Sequence, residues 1–145
     1  MMPDRSARSG GILGVLVLAL ALGCAPRDPY ATMCGAAMDA TSAITSVRQS
    51  MKTDREGDMT AARRLRDLAT IQATAAADAL VTISDPDIRS DIIWTSIDRA
   101  VDDVRQAIDH AAGPATPQET ETLLESAGQH LDTRIETLPR ECLIP

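Results

Sequence analysis

Phenylalanine is absent from this chain, and Tyr30 and Trp94 are its only aromatic residues. Sites for sugars and nucleobases recruit aromatic faces for stacking, so this scarcity counts against both ligand classes. Basic charge is also thin. Lys52 is the single lysine, and the chain carries a formal −7. Nucleic-acid phosphates reward Lys and Arg, and anionic lipid surfaces do the same. Neither an RNA or DNA partner nor a pose flat on a membrane is expected. Histidine occurs twice, at His110 and His130, without paired ligand spacing. The Glu-x-x-His motif of carboxylate di-iron bundles is missing, because alanine stands three residues before each histidine, at Ala107 and Ala127. Met38 and His130 are not level in the expected fold, so haem is not expected either, and no metal or cofactor is anticipated. Neither GxSxG nor SxxK occurs, which leaves no candidate nucleophile and points to a non-enzymatic chain. No segment alternates as a strand would. No apolar run reaches the roughly 20 residues a membrane helix needs.

What is present begins with an export-type start. Arg5 and Arg8 precede an uncharged eleven-residue core, Ile12 to Leu22, and Arg27 and Asp28 follow soon after. The core closes on Leu20-Ala21-Leu22-Gly23-Cys24. That segment resembles the lipobox of bacterial lipoproteins, with alanine at position 21 where leucine is commoner. The resemblance covers the first 24 residues only. It implies cleavage after Gly23, diacylation of the Cys24 thiol and attachment to the outer face of a cell membrane. Two acyl chains suffice for stable anchoring where one does not. Residues 1–23 are then a signal peptide and 24–32 a lipidated tether. Residues 33–145 form one folded domain. Cleavage removes Arg5, Arg8 and Asp4, a net +1, and leaves −8 on the mature part.

With Cys24 lipidated, Cys34 and Cys142 remain as an even pair in a compartment where disulfides persist. Their bridge closes nearly the whole domain into a loop. The chain-entropy argument assigns such a loop about 4–5 kcal/mol.

Helical periodicity runs through the rest. A first helix is expected over Met33–Lys52, with Ala37, Thr41, Ile44, Val47 and Met51 inward. Thr53 to Glu56 has the form of a capping box starting a second helix. Its inward stripe is Leu65, Leu68, Ala69, Gln72, Ala76, Leu80 and Ile83. Gln72, polar within that stripe, needs a partner such as Thr41, or else marks a small cavity. Asp85-Pro86 starts a third helix. Its seam of Trp94, Ile97, Val101, Val104, Ile108 and Ala111 steps by threes and fours. Gly113-Pro114 ends it, with glycine expected as a left-handed cap. Thr116-Pro117-Gln118-Glu119 combines an N-cap, a first-turn proline and a capping box. The fourth helix presents Leu124, Ala127, Leu131, Ile135 and Leu138. The expected fold is all-α: an up-down-up-down antiparallel four-helix bundle closed by Cys34–Cys142, with both cysteines at the membrane end.

These features suggest an anchored interaction or accessory module. The alternative is a carrier of a small ligand or lipid, using a cavity between alanine-rich helices. Arg63, Arg64 and Arg66 interrupt the acidic balance and are the candidate docking spot for an acidic partner or polyanion. Asp98, Asp102, Asp103 and Asp109, interleaved with Arg99 and Arg105, read as a solvated face, and Asp85, Asp87 and Asp91 as helix-start charges.

Overall fold

The computed structural model describes residues 28–135, with side chains through residue 132. The signal segment, Cys24, Leu138 and Cys142 lie outside the described residues, as does the side chain of Ile135. All regular structure within that range is helical.

Helix α1 spans Pro29–Arg55. It starts four residues before the expected Met33 because Asp28 caps it, accepting from the Tyr30 amide at 3.0 Å, and Pro29 fills the first helical position. It also runs past Lys52. The predicted capping box at Thr53–Glu56 is instead the end of α1. The Gly57 amide donates to Asp54 O at 3.0 Å, and the Asp58 amide donates to Thr53 O at 3.2 Å. These are the two bonds of a Schellman stop, and they use the carbonyls of the residues read as a cap. The motif needs a left-handed residue, which Gly57 supplies at φ +90°. Asp58 then caps α2, Met59–Val81, through the Ala61 amide.

The third expected helix is two. Asp85 caps a single turn, α3, Pro86–Arg89. Asp91 caps α4, Ile92–Ala112, accepting from the Ile93 amide at 2.8 Å. The Ser90 hydroxyl donates to Asp87 O between them. Such local side-chain bonds offer the backbone an alternative to continuous helix. Gly113 is extended rather than left-handed, at φ −108° and ψ −167°; Pro114 imposes that conformation on the residue before it. The capping box at Thr116 is formed reciprocally: the Thr116 amide donates to Glu119 Oε2, and the Glu119 amide to Thr116 Oγ1. Helix α5 spans Pro117–Ile135.

Helices α1 and α4 pack against each other, and each also packs against α2 and α5. Among the described residues, half of the buried apolar ones are alanine, including Ala36, Ala40, Ala69, Ala73, Ala100 and Ala107. Alanine buries without loss of rotamer entropy and lets helix axes approach closely. This changes which face turns inward. Thr41 is exposed, and its hydroxyl donates to Ala37 O in its own helix. Ala40 and Ala43 are buried in its place. Leu68 is 44% exposed, while its neighbour Ala69 is fully buried. The α4 seam is as read, with Ile97, Val101, Val104 and Ile108 buried.

Three polar links set the register. Ser46 Oγ lies 2.8 Å from Gln72 Oε1 and 3.1 Å from Ser42 O, so Gln72 meets Ser46 and not Thr41. One hydroxyl has one proton. With the Gln72 amide turned over, Nε2 donates to Oγ and Oγ donates to Ser42 O, which satisfies both contacts. Ser126 Oγ donates to Asp103 Oδ2 at 2.8 Å, joining α5 to α4. Trp94 Nε1 donates to Leu80 O at 3.4 Å, joining α4 to α2, and the Arg89 guanidinium stacks 5.3 Å from the Trp94 ring centre.

Enlarging a buried alanine should cost more than trimming the exposed leucine. Ala40→Leu is expected to lose about 1–3 kcal/mol by overpacking, and Leu68→Ala no more than about 0.5 kcal/mol, as read by urea unfolding. Gly57→Ala should lose about 1–2 kcal/mol in the same assay, because a Cβ disfavours the left-handed conformation.

Candidate functional site

The final turns of α1 and the first turns of α5 meet at one pole. Arg48 Nε donates to Glu121 Oε1 at 3.0 Å, and Nη2 lies 2.8 Å from the same oxygen. The two side chains are 47% and 39% exposed, so the pair contributes at most about 1 kcal/mol. Its larger effect is to bridge a surface groove of about 650 Å³, walled by Arg48, Lys52 and Arg55 from α1 and by Pro117, Gln118 and Glu121 from α5. Arg48, Lys52 and Arg55 follow i, i+4, i+7 spacing, which puts them on one helix face. All three are exposed. Among the described residues, no carboxylate pairs with Lys52 or Arg55. Met51, half-buried, adds apolar surface to the groove.

A cleft of about 120 Å³ continues from the groove, sharing Met51, Arg55 and Pro117 with it. Asp54, Arg66, His110 and the buried hydroxyls of Ser50 and Thr120 line it. His110 sits in the last turn of α4. Its Nδ1 is buried and without a hydrogen-bond partner. A buried polar atom in that condition is uncommon, and His110 lines the same cleft as Arg55 and Arg66.

The three arginines singled out in the sequence are therefore divided. Arg66 lines the cleft; Arg63 and Arg64 are exposed and do not. Sequence reasoning missed Arg48, Lys52 and Arg55. Their spacing was visible, but ending the helix at Lys52 removed Arg55 from their face. His130 Nε2 lies 3.9 Å from Asp103 Oδ2, too far for a hydrogen bond. Ser126 and His130 both face that aspartate, and no histidine bridges serine to carboxylate as a nucleophile would require. Among the described residues, no group of three potential ligands could hold a metal ion. No described helix is long and apolar enough to cross a membrane. Comparison with protein-family models, curated proteins and solved structures finds no match to the chain.

On α4, Asp98 is half-buried. Burial, and secondarily the Asp102 carboxylate, raise its pKa, against the opposing pull of Arg89 and Arg105. The folded state thus holds this proton more tightly than the unfolded chain. The resulting stabilisation is present below the ordinary aspartate value of about 3.9 and is lost as pH rises through the raised value. Asp98→Asn should therefore gain stability relative to the parent as pH rises from about 3 to 6, seen as a widening difference in Tm.

Proposed function

We propose that this chain is a lipid-anchored, extracytoplasmic, non-enzymatic interaction module. Cys24 carries the acyl chains. The folded part is an up-down-up-down four-helix bundle clasped by Cys34–Cys142, and its docking surface is the pole that bears the groove. The observation that carries this reading is the clustering of Arg48, Lys52 and Arg55 in one groove at the end of α1 farthest along the chain from Cys24, with Lys52 and Arg55 lacking a carboxylate partner among the described residues. Helix α1 has 27 residues, about 40 Å at 1.5 Å per residue. A module tethered at Cys24 and standing on that end of α1 would hold the groove about 24–39 Å along the helix from Pro29, accessible to a partner.

The bridge has independent support. Cys34 is not a free side chain. Fourteen residues separate Cys34 from Arg48 along α1, and fourteen separate Glu121 from Ile135 along α5. Arg48 pairs with Glu121, so antiparallel helices bring Ile135 level with Cys34. The seven further residues to Cys142 span up to about 23 Å, ample for a disulfide. The carrier alternative gains no comparable support, because the 650 Å³ concavity opens on the surface between α1 and α5 instead of between apolar core faces.

Intact mass of protein extracted from its native membrane tests the anchor and the bridge together. The expected product lacks residues 1–23, carries a diacylglyceryl group on Cys24 and gains two hydrogens on reduction. Cys24→Ser should move the protein to the soluble fraction. An unmodified Cys24 in the native protein would refute the anchor, and a mass unchanged by reductant would refute the bridge.

A further inference from the structure

The geometry points to an acidic polypeptide segment, bound in extended form along α1, as the ligand of the groove between α1 and α5. Three features carry this assignment.

The first is charge. In a chain of net −7, Arg48, Lys52 and Arg55 line one concavity in which Glu121 is the acidic residue. Lys52 and Arg55 have no carboxylate partner among the described residues. A second acidic chain is the natural complement, and charge complementarity steers the encounter as well as the fit.

The second is spacing. Side chains three and four apart on a helix stand about 5–6 Å from each other at Cβ. Arg48, Lys52 and Arg55 thus form a row with a step of about 6 Å. Alternate residues of an extended chain lie on one side at intervals of about 6.6 Å. Glutamates or aspartates at every second position can therefore each meet a cation. A small anion would use one or two members of this open row and leave the rest solvated.

The third is the remaining lining. Met51 and Pro117 add apolar surface to the groove, which suits the intervening side chains of a peptide. In the adjoining cleft of about 120 Å³, His110 is one of the lining residues, and its Nδ1 is a buried polar atom without a partner. The Arg48–Glu121 pair acts as a competitor already in place. An entering carboxylate takes over Arg48, and Glu121 is released to water. The partner is thus discriminated by carboxylate density, since a sparsely charged segment gains too little to displace Glu121.

This inference rests on the docking reading and is independent of the lipid. The test uses the full chain in detergent and a labelled peptide with glutamate and leucine at alternate positions, followed by fluorescence anisotropy. Saturable binding that weakens with added salt is expected. Lys52→Glu combined with Arg55→Glu should weaken it by about tenfold or more. Arg99→Glu, an exposed charge reversal elsewhere, should leave it unchanged, and Glu121→Gln should tighten it severalfold by freeing Arg48. Helical circular dichroism and Tm of the exposed variants report that they remain folded. The proposal is overturned if the peptide shows no saturable binding. It is also overturned if Arg99→Glu weakens binding as much as the groove variants, or if only Arg63→Glu with Arg64→Glu does so. Saturable binding of inorganic phosphate with the same variant dependence would replace it with a small-anion site. Because the lipid is not needed, a Cys24 found unmodified would leave this result standing, and loss of peptide binding would leave the anchor standing.

Discussion

Close helix approach through alanine is the constraint on which the structure depends. Helix α1 packs most extensively against α2, and both bury alanines, Ala36, Ala40 and Ala43 on α1 and Ala69, Ala73 and Ala76 on α2, where large side chains would hold the helices apart. Each buried alanine removes little apolar area, on the order of one methyl group at about 0.8 kcal/mol. It loses no rotamer freedom in doing so. Stability then comes from many small contacts at short range. Leu80, Ile97, Leu124 and Leu131, together with Met33, fill the wider gaps.

A core of small, similar residues specifies register weakly, because sliding one alanine face along another changes little. Polar links supply what the alanines cannot. Ser46 with Gln72, Asp103 with Ser126, and the Trp94 indole on the Leu80 carbonyl each tie a different helix pair. A polar group displaced from its partner in such a setting costs about 1–3 kcal/mol, which penalises slippage. The same registry brings the end of α1 against the start of α5. The groove is a product of that alignment and of the Schellman turn at Gly57, which lets α1 continue far enough to include Arg55.

Much of the fold was legible. Strong local signals, such as the Thr116 capping box and the 3-4-3-4-3 seam of α4, survive because their physics is confined to a few neighbouring residues. Two errors came from signals that compete within the same few residues. Thr53 to Glu56 satisfies the pattern of a helix start, yet Gly57-Asp58 is the more decisive punctuation, since glycine alone takes the left-handed turn freely. Asp85-Pro86 starts a helix, but Asp91 starts another six residues later, and a sequence pattern does not rank two valid caps. The exposed positions of Thr41 and Leu68 show a further limit. Hydrophobicity ranks leucine above alanine, whereas a tightly spaced seam selects the smaller side chain.

The chain by itself determined its helical class, most of its caps, the apolar face of α4 and the charge balance that disfavours nucleic acid. Each of these follows from local periodicity or composition. Only the tertiary structure decided that Arg66 turns to a cleft while Arg63 and Arg64 do not. It alone put the Arg48, Lys52 and Arg55 row opposite α5 and left the His110 ring nitrogen without a partner beside it. Those outcomes depend on which helices are neighbours and at what register. That is set by packing summed over the whole core, and no short stretch of residues encodes it.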